Sequence, residues 1–399
     1  MIRKTVFWIH LICGVAAGLV IAMMSTTGVL LTYERQILAW SDRDQSVTPP
    51  AAGERRPIAE LLAAAAMQRG SPAPTAVVVR NDPRAPVAVA FGRSGTLLVN
   101  PYTAAVAEQG AARLRAFFDA VEGWHRWFNV GGESRAAARA ITGACNLAFL
   151  FLILSGMYLW LPRIWKWAAF RARLSFNAKA TNSKARDFNW HHVFGIWSAI
   201  PLAIVVGSSV VFSYPWANNL VYRSFGEEPP VRGARGGPDA APQRALAARQ
   251  APSGGAAEPE RLSYDALLAR ATASAGDWRT ITLQLPASQE AATVRFAIDQ
   301  GNGGQPQRRQ NLTLDAATGE VREWAPFAAQ STGQKARTMI RFLHTGEALG
   351  VAGQTVAGIV SATSVIMVWT GLALAYRRLV APLLRRGAAA AKTRRASEA

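Results

Sequence analysis

Lysine, arginine, aspartate and glutamate are absent from four long stretches of this chain, 7–32, 141–161, 191–214 and 351–376. Helices of a water-soluble core seldom stay free of charge for so long, so the absence argues against an ordinary soluble fold. Each stretch can cross the ~30 Å hydrocarbon layer, which takes about 20 helical residues. Cysteine is scarce too. Cys13 and Cys145 are the only two, both in or beside apolar runs, and there is no CxxC or CxxCH. That excludes a disulfide framework and covalent attachment of haem. A GxGxxG nucleotide fingerprint is also missing, which argues against hydride transfer from NAD(P)H by this chain itself. No paired-carboxylate or nucleophile arrangement stands out.

Acidic residues are few where basic ones gather. The net charge is +19, and segments 1–10, 162–190 and 377–399 together carry +14 of it. The long segments 33–140 and 215–350 are nearly balanced, at +3 and +2. Such asymmetry is the positive-inside pattern of a membrane protein, not the footprint of nucleic-acid binding. It predicts cytoplasmic termini, a basic cytoplasmic loop over 162–190, a basic cytoplasmic tail over 377–399, and two long loops outside, in the periplasm of a Gram-negative cell. Aromatic residues agree: Trp8, Trp160, Trp165, Trp167 and Trp190 cluster at the inner edges, and Tyr214, Trp216 and Tyr222 at an outer edge. The first stretch follows Arg3 and Lys4, but it exceeds a signal h-region and no A-x-A-like site follows it, so it reads as a retained helix.

Both outer loops contain foldable sequence. Residues 57–70 read as a helix with Ile58, Leu61, Leu62 and Ala65 on one face, followed by strand-like runs at Thr75–Arg80, Val87–Phe91 and Thr96–Val99. The second loop repeats the order. Ser263 caps a helix over Tyr264–Ala275, and runs at Thr280–Leu285, Thr293–Ile298 and Gln310–Leu314 follow. A Pro-, Gly- and Ala-rich insert over about 228–260 reads as a disordered linker. The expected fold is thus an α-helical membrane protein, a four-transmembrane-helix bundle carrying two small α+β modules, at about 57–110 and about 262–325, in its outer loops.

Histidine is the rare residue that is placed with a pattern. There are five: His10, His125, His191, His192 and His344. His10 and His191/His192 precede the two runs that start inside; His125 and His344 precede the two that start outside. The topology sorts them into an inner and an outer pair. His10 and His191 each begin an H-x₃-G, ending at Gly14 and Gly195, and a glycine one turn on leaves room for a flat macrocycle. His191 is favoured by this spacing, with His192 as the alternative inner ligand. His125 lies sixteen residues before Ile141, ~24 Å up a continuous helix, so Gly131-Gly132 is expected to break the chain and fold it back. Low-spin haem iron takes two axial imidazoles. Zinc or copper sites usually need a third or fourth ligand, and no Cys, Asp or Glu clusters with either pair. The expectation is two non-covalent b-type haems, ligated by His10 with His191 and by His125 with His344, with no metal other than the haem iron.

Several of these motifs resemble the PepSY-associated transmembrane family over nearly the whole length. They are His10-x₃-Gly14, His125-Arg126-Trp127, Ser155-Gly156-Met157-Tyr158-Leu159-Trp160, Asn189-Trp190-His191-His192-Val193-Phe194-Gly195 and Leu343-His344-Thr345-Gly346. The endings Asn100-Pro101-Tyr102-Thr103 and Asp315 to Val321 are similar to those of PepSY modules. Some members of the family resemble inner-membrane ferric-siderophore reductases with two b-type haems. The resemblance implies periplasmic PepSY-like modules and a ferric siderophore as substrate. It also implies electrons drawn from an unidentified cytoplasmic or membrane donor, and a place in the lipid bilayer of the inner membrane. Two departures stand out. His192 occupies a position where the family suggests arginine, and the turn Tyr102-Thr103-Ala104-Ala105 lacks the usual glycine.

Overall fold

A computed structural model describes residues 1–51, 53–230, 261–288 and 291–384. Most of the insert expected over 228–260, and the tail beyond 384, lie outside the described residues. The chain divides into two compact units. One comprises Met1–Arg35, Arg113–Ala217 and the chain from Ile340; the other comprises Gln36–Ala112 and Asn218–Met339.

The first unit is a helix bundle. Its long helices are α1 (Ile2–Leu31), and, after the short α2 (Glu34–Ser41) and α3 (Ile58–Arg69) and the intermediate α4 (Ala112–Trp127), α5 (Ser134–Trp160). Then α6 (Trp167–Leu174) leads to the long α7 (Ser183–Ser213). The chain returns through α8 (Pro215–Arg223), α9 (Tyr264–Ala275) and α10 (Thr332–His344) to α11 (Gly350–Leu379). Four helical stretches, containing α1, α5, α7 and α11, are long and apolar enough to cross a membrane. Leu19, Trp197, Ile200 and Trp369 are each at least 69% exposed, an outside that is costly in water and favourable in lipid. Helix α1 packs on α5 and α11, and α7 packs on the same two. The four therefore form a closed ring, with α1 and α7 on one diagonal. Ile153, Leu202, Val206 and Val360 fill its middle, and the buried Ser25 and Ser364 are hydrogen-bonded to each other there.

The long helices start earlier than the apolar runs. Asn182 caps α7 by accepting from the Ala185 N–H at 2.9 Å, so the helix begins eight residues before His191. His10 likewise lies eight residues into α1. Buried Asp187, 1% exposed, ties the same end of α7 to α11 through Arg377 at 2.7 Å, with Arg186 at 2.9 Å.

The second unit is a single antiparallel sheet of eight strands, not two separate modules. The strands are β1 (Ala76–Arg80), β2 (Val87–Ala90), β3 (Thr96–Val99), β4 (Val106–Glu108), β5 (Thr280–Gln284), β6 (Thr293–Asp299), β7 (Arg309–Asp315) and β8 (Val321–Pro326). Their order is β4-β3-β2-β1-β5-β6-β7-β8. Two meanders, each preceded by a helix, join through β1 and β5, with Val78 opposite Thr282. Burial alternates along β6, and Phe296 packs with Leu283, Leu312, Leu61 and Leu267 in a core covered by α3 and α9. Asp265, in the first turn of α9, accepts the N-terminal Ile58 N–H of α3 at 3.0 Å. Strands β4 and β8 went unpredicted because neither has an alternating pattern: β4 is three residues long and β8 is exposed over its first four.

Both meanders turn in the same way after the third strand. Asn100 Oδ1 accepts from the Tyr102 and Thr103 N–H groups, and Asp315 Oδ1 from those of Ala317 and Thr318. Gly319 follows with φ 69°, and in the first meander Ala104 holds the equivalent position with φ 59°. The glycine missing from the sequence is thus replaced by an alanine in a left-handed conformation, a cost of about 1 kcal/mol. The Thr318 N–H, helped by Arg322 and the Ala317 N–H and opposed by burial, holds the Asp315 carboxyl at about 2. A depressed carboxylate contributes stability above its unfolded value of about 4 and loses it as pH falls towards 2. Asp315→Asn is expected to cost about 1–2 kcal/mol at neutral pH. In thermal melts, the gap from wild type should close as the pH falls through that window.

Candidate functional site: two histidine pairs in the bundle

The first unit brings four histidines into two groups at two levels. Every one of the four rings is held by its Nδ1. At the proximal end, where α1 and α7 begin, His10 on α1 reaches Ser155 Oγ on α5 at 2.8 Å. His191 on α7 reaches α11, with Met367 O at 3.2 Å and Thr370 Oγ1 at 3.1 Å. At the distal end, His125 of α4 meets Thr27 Oγ1 on α1 at 2.9 Å. His344, the last residue of α10, donates to Val205 O on α7 at 2.8 Å and lies 3.2 Å from Ser208 Oγ. On α1 the proximal and distal positions, His10 and Thr27, are seventeen residues apart; on α7, His191 and Ser208 are also seventeen apart. The two levels are thus about 25 Å apart along the helices.

The turn that delivers His125 is tight. Helix α4 ends at Trp127, then Phe128 and Asn129 take φ values of 54° and 55°, and Gly132 takes 58°. The Asn129 N–H closes back on Gly123 O at 2.9 Å, and Thr142 Oγ1 donates to Arg126 O at 3.0 Å, which fastens the end of α4 to α5. The reversal therefore starts at Phe128, ahead of the Gly131-Gly132 pair. At the other distal corner Gly346, φ 75°, passes so close to Gly353 that a β-carbon would stand 2.3 Å from its carbonyl oxygen.

Glycines of the neighbouring helices make room for the imidazoles, beside the room for a macrocycle that the H-x₃-G spacing assigns to Gly14 and Gly195. Gly14 faces Leu152, and Gly195 faces the Met367 methyl group. The rings themselves lie against glycines of the neighbouring helix. A β-carbon on Gly156 would stand 3.4 Å from His10 Cε1, one on Gly371 3.3 Å from His191 Cε1, and one on Gly28 3.6 Å from His125 Cε1. Each of these glycines directly follows the hydroxyl that holds the ring: Ser155-Gly156, Thr370-Gly371 and Thr27-Gly28. Sequence reading marked Ser155-Gly156 but not its partner His10, 145 residues away. His192 does not reach across the bundle. It donates to Phe188 O of its own helix at 2.8 Å, and its ring lies 4.2 Å from that of Phe188.

The donor set fits haem iron. A backbone carbonyl only accepts, so His191 and His344 carry their proton on Nδ1. The Ser155 hydroxyl lies within hydrogen-bonding distance of Phe151 O and that of Thr27 of Met23 O, so each can donate to its own helix and accept from the ring. His191 and His344 thereby present an Nε2 lone pair, the usual state of a metal-binding imidazole, and hydroxyls that accept from His10 and His125 would leave those rings in the same state. At the distal end the His125 and His344 ring centres are 6.3 Å apart. Two imidazoles on opposite sides of one metal, with bonds of about 2.0–2.1 Å, have centres about 6.3–6.4 Å apart. Among the described residues no group of three or more His, Cys, Asp and Glu comes together as metal ligands. A two-histidine site suits a metal whose other positions a macrocycle fills. Cys13 and Cys145 are free.

Around the proximal end the arginines are engaged with the protein. Arg3 caps α5 through Leu159 O and Leu161 O, and Arg173 adds Trp160 O. Distally, Arg126 pairs with Glu122 and lies 4.6 Å from the Trp127 ring, which Arg135 approaches to 3.9 Å.

Among curated proteins none matches the chain. A family model, described as the PepSY-associated TM region, matches residues 7–393. With four apolar helices and a match over nearly its full length, the chain belongs to the PepSY-associated transmembrane family.

Proposed function

We propose that this membrane protein is a two-haem reductase that carries electrons from the cytoplasmic side to a ferric siderophore outside. His10 and His191 hold one haem and His125 and His344 the other, with both chain termini cytoplasmic. When bound, haem b supplies reversible one-electron exchange at its iron. The protein's own part is to hold four imidazoles with Nε2 presented, in two levels about 25 Å apart along the helices. One electron delivered to a ferric chelate gives ferrous iron, which hard oxygen donors hold less tightly. The observation that carries the proposal is the distal pair, two rings with centres 6.3 Å apart and both Nδ1 atoms already engaged, which would hold the iron through their remaining nitrogens.

The test is a dithionite-reduced-minus-oxidised spectrum and a haem count on the full chain in detergent. Two b-type haems per chain, reoxidised by added ferric siderophore, are the expected result. Colourless protein from haem-replete cells overturns the proposal. It would favour a haem-free binding protein for a peptide or protease partner, a reading supported by edge strand β8, where Val321 and Trp324 are exposed. Haem without reoxidation would point to transport or sensing.

A further inference from the structure

Arg377 and Arg378 stand side by side in the last turn of α11 and serve different neighbours. Arg377 turns to α7 and donates to Asp187 Oδ2 at 2.7 Å. Arg378 lies over two rings of α1, its Cζ 4.6 Å from the Phe7 centroid and 5.4 Å from that of Trp8. Among the described residues no carboxylate pairs with Arg378, nor with Lys4. A guanidinium that rests on aromatic faces uses its flat side, and its N–H donors, which lie in the plane, stay available to an anion. Lys4 is exposed and sits one turn before Trp8, on the same face of α1. Trp8 is also the first wall of a groove of about 340 Å³ that Leu11, Ile12, Val15, Ala16 and Leu379 complete. The groove runs about 12 Å along α1, from the two cations towards the middle of the span. Ile12 is 64% exposed, so the groove opens on the outside of the bundle, where lipid lies. Tryptophans and basic residues at helix ends are general in membrane proteins and by themselves make no site. Here they stand at the head of an apolar groove.

We propose that this groove holds an acidic phospholipid, with its phosphate on Arg378 beside Lys4 and one acyl chain along Leu11, Ile12, Val15 and Ala16. Charge complementarity selects the headgroup. Basic pockets beside membrane-spanning helices favour anionic lipids, and arginine offers a phosphate two parallel N–H bonds. A choline headgroup would bring its own cation against Arg378 and Lys4. The wholly apolar lining argues against a quinone, whose carbonyls would find no donor along it. Bound in this way, the lipid bridges the start of α1 and the end of α11. Trp8 and Ile12 are each two residues from His10 and so lie on the other side of α1, which makes the site independent of the two-haem reading.

The experiment uses the full chain in detergent, titrated with phosphatidylglycerol and, in parallel, with phosphatidylcholine of the same acyl chains. Native mass spectrometry counts the lipids bound. One phosphatidylglycerol is expected to bind ahead of any phosphatidylcholine. Arg378→Gln should weaken it about fivefold, the contribution of one basic residue at an anionic surface. Arg378→Lys should fall between, since the charge stays and the planar fork is lost. Ala16→Trp fills the groove without changing any charge and should weaken the lipid as well. Arg378 and Ala16 are both exposed, so the fold should be kept. Arg163→Gln, which removes an exposed arginine elsewhere in the basic segments, serves as control and should leave the first phosphatidylglycerol in place. Equal uptake of the two lipids, or an equal loss from Arg163→Gln, would reduce the effect to general surface attraction and overturn the proposal. So would displacement by inorganic phosphate, or unchanged uptake by Ala16→Trp. Haem content should be the same in every variant, so a colourless chain that binds phosphatidylglycerol would sink the reductase reading and leave the lipid site standing.

Discussion

His344→Ala is expected to lower the haem content from two per chain to one. His344 closes α10, and its Nδ1 anchors the ring to Val205 O, so the whole presentation of Nε2 depends on this one side chain. Alanine leaves His125 facing an empty position, and no Cys, Asp or Glu group among the described residues substitutes for the lost imidazole. The proximal pair lies about 25 Å away along the helices and shares no partner with His344, so its haem should be retained. Haem counted as the pyridine haemochrome, per mole of chain, checks this. His191→Ala should likewise leave one haem, at the distal level. His192→Ala should leave two, because that ring bonds within its own helix. Equal losses from His191→Ala and His192→Ala would contradict the assignment of His191.

Gly371→Val should be nearly as damaging to the proximal level although it removes no ligand. Its first β-carbon would already sit 3.3 Å from His191 Cε1, and the two further methyl groups need space that the ring occupies. The imidazole must turn away from Met367 O and Thr370, which uncouples its orientation from α11. One haem per chain is the expected count, with the distal spectrum unchanged. Gly14→Val is the informative contrast, since the nearest atom to its β-carbon is the Leu152 methyl at 3.8 Å. Loss of the proximal haem from Gly14→Val as well would support the macrocycle-packing role that the H-x₃-G spacing gives Gly14.

The existence of the four spans was legible, although their helices begin up to eight residues earlier, and six of the eight strands were legible to within a residue or two, since each rests on local composition or period. Ser263 as a helix cap was legible for the same reason, and its Oγ does accept from the Ala266 N–H. What was not legible is which helix each ring leans on. Ser155-Gly156 and Thr370-Gly371 stand out as small polar steps in apolar helices. Only the ring order of the bundle, with α1 and α7 each flanked by α5 and α11, brings them to His10 and His191. Helices α4 and α10 were missed because they are short and amphipathic and lie outside the apolar runs. They nevertheless carry His125 and His344. The joining of the two modules into one sheet also had no local signal, because β1 and β5 read as ordinary strands whichever neighbour they take.

The symmetric sheet bears on how such a chain can arise. Strands β1 and β5 are each the first strand of a meander, and each hides the other's open hydrogen-bonding edge. A half-length chain with a single meander would leave that edge bare, an invitation to aggregate. The remedy available to it is the first strand of a second copy, paired antiparallel about a two-fold axis as β1 and β5 are paired now. A gene encoding half of this protein would thus specify a homodimer. Fusing two copies in tandem would free each half to change by itself, and Asn100 and Asp315, and Ala104 and Gly319, do differ at matching turns.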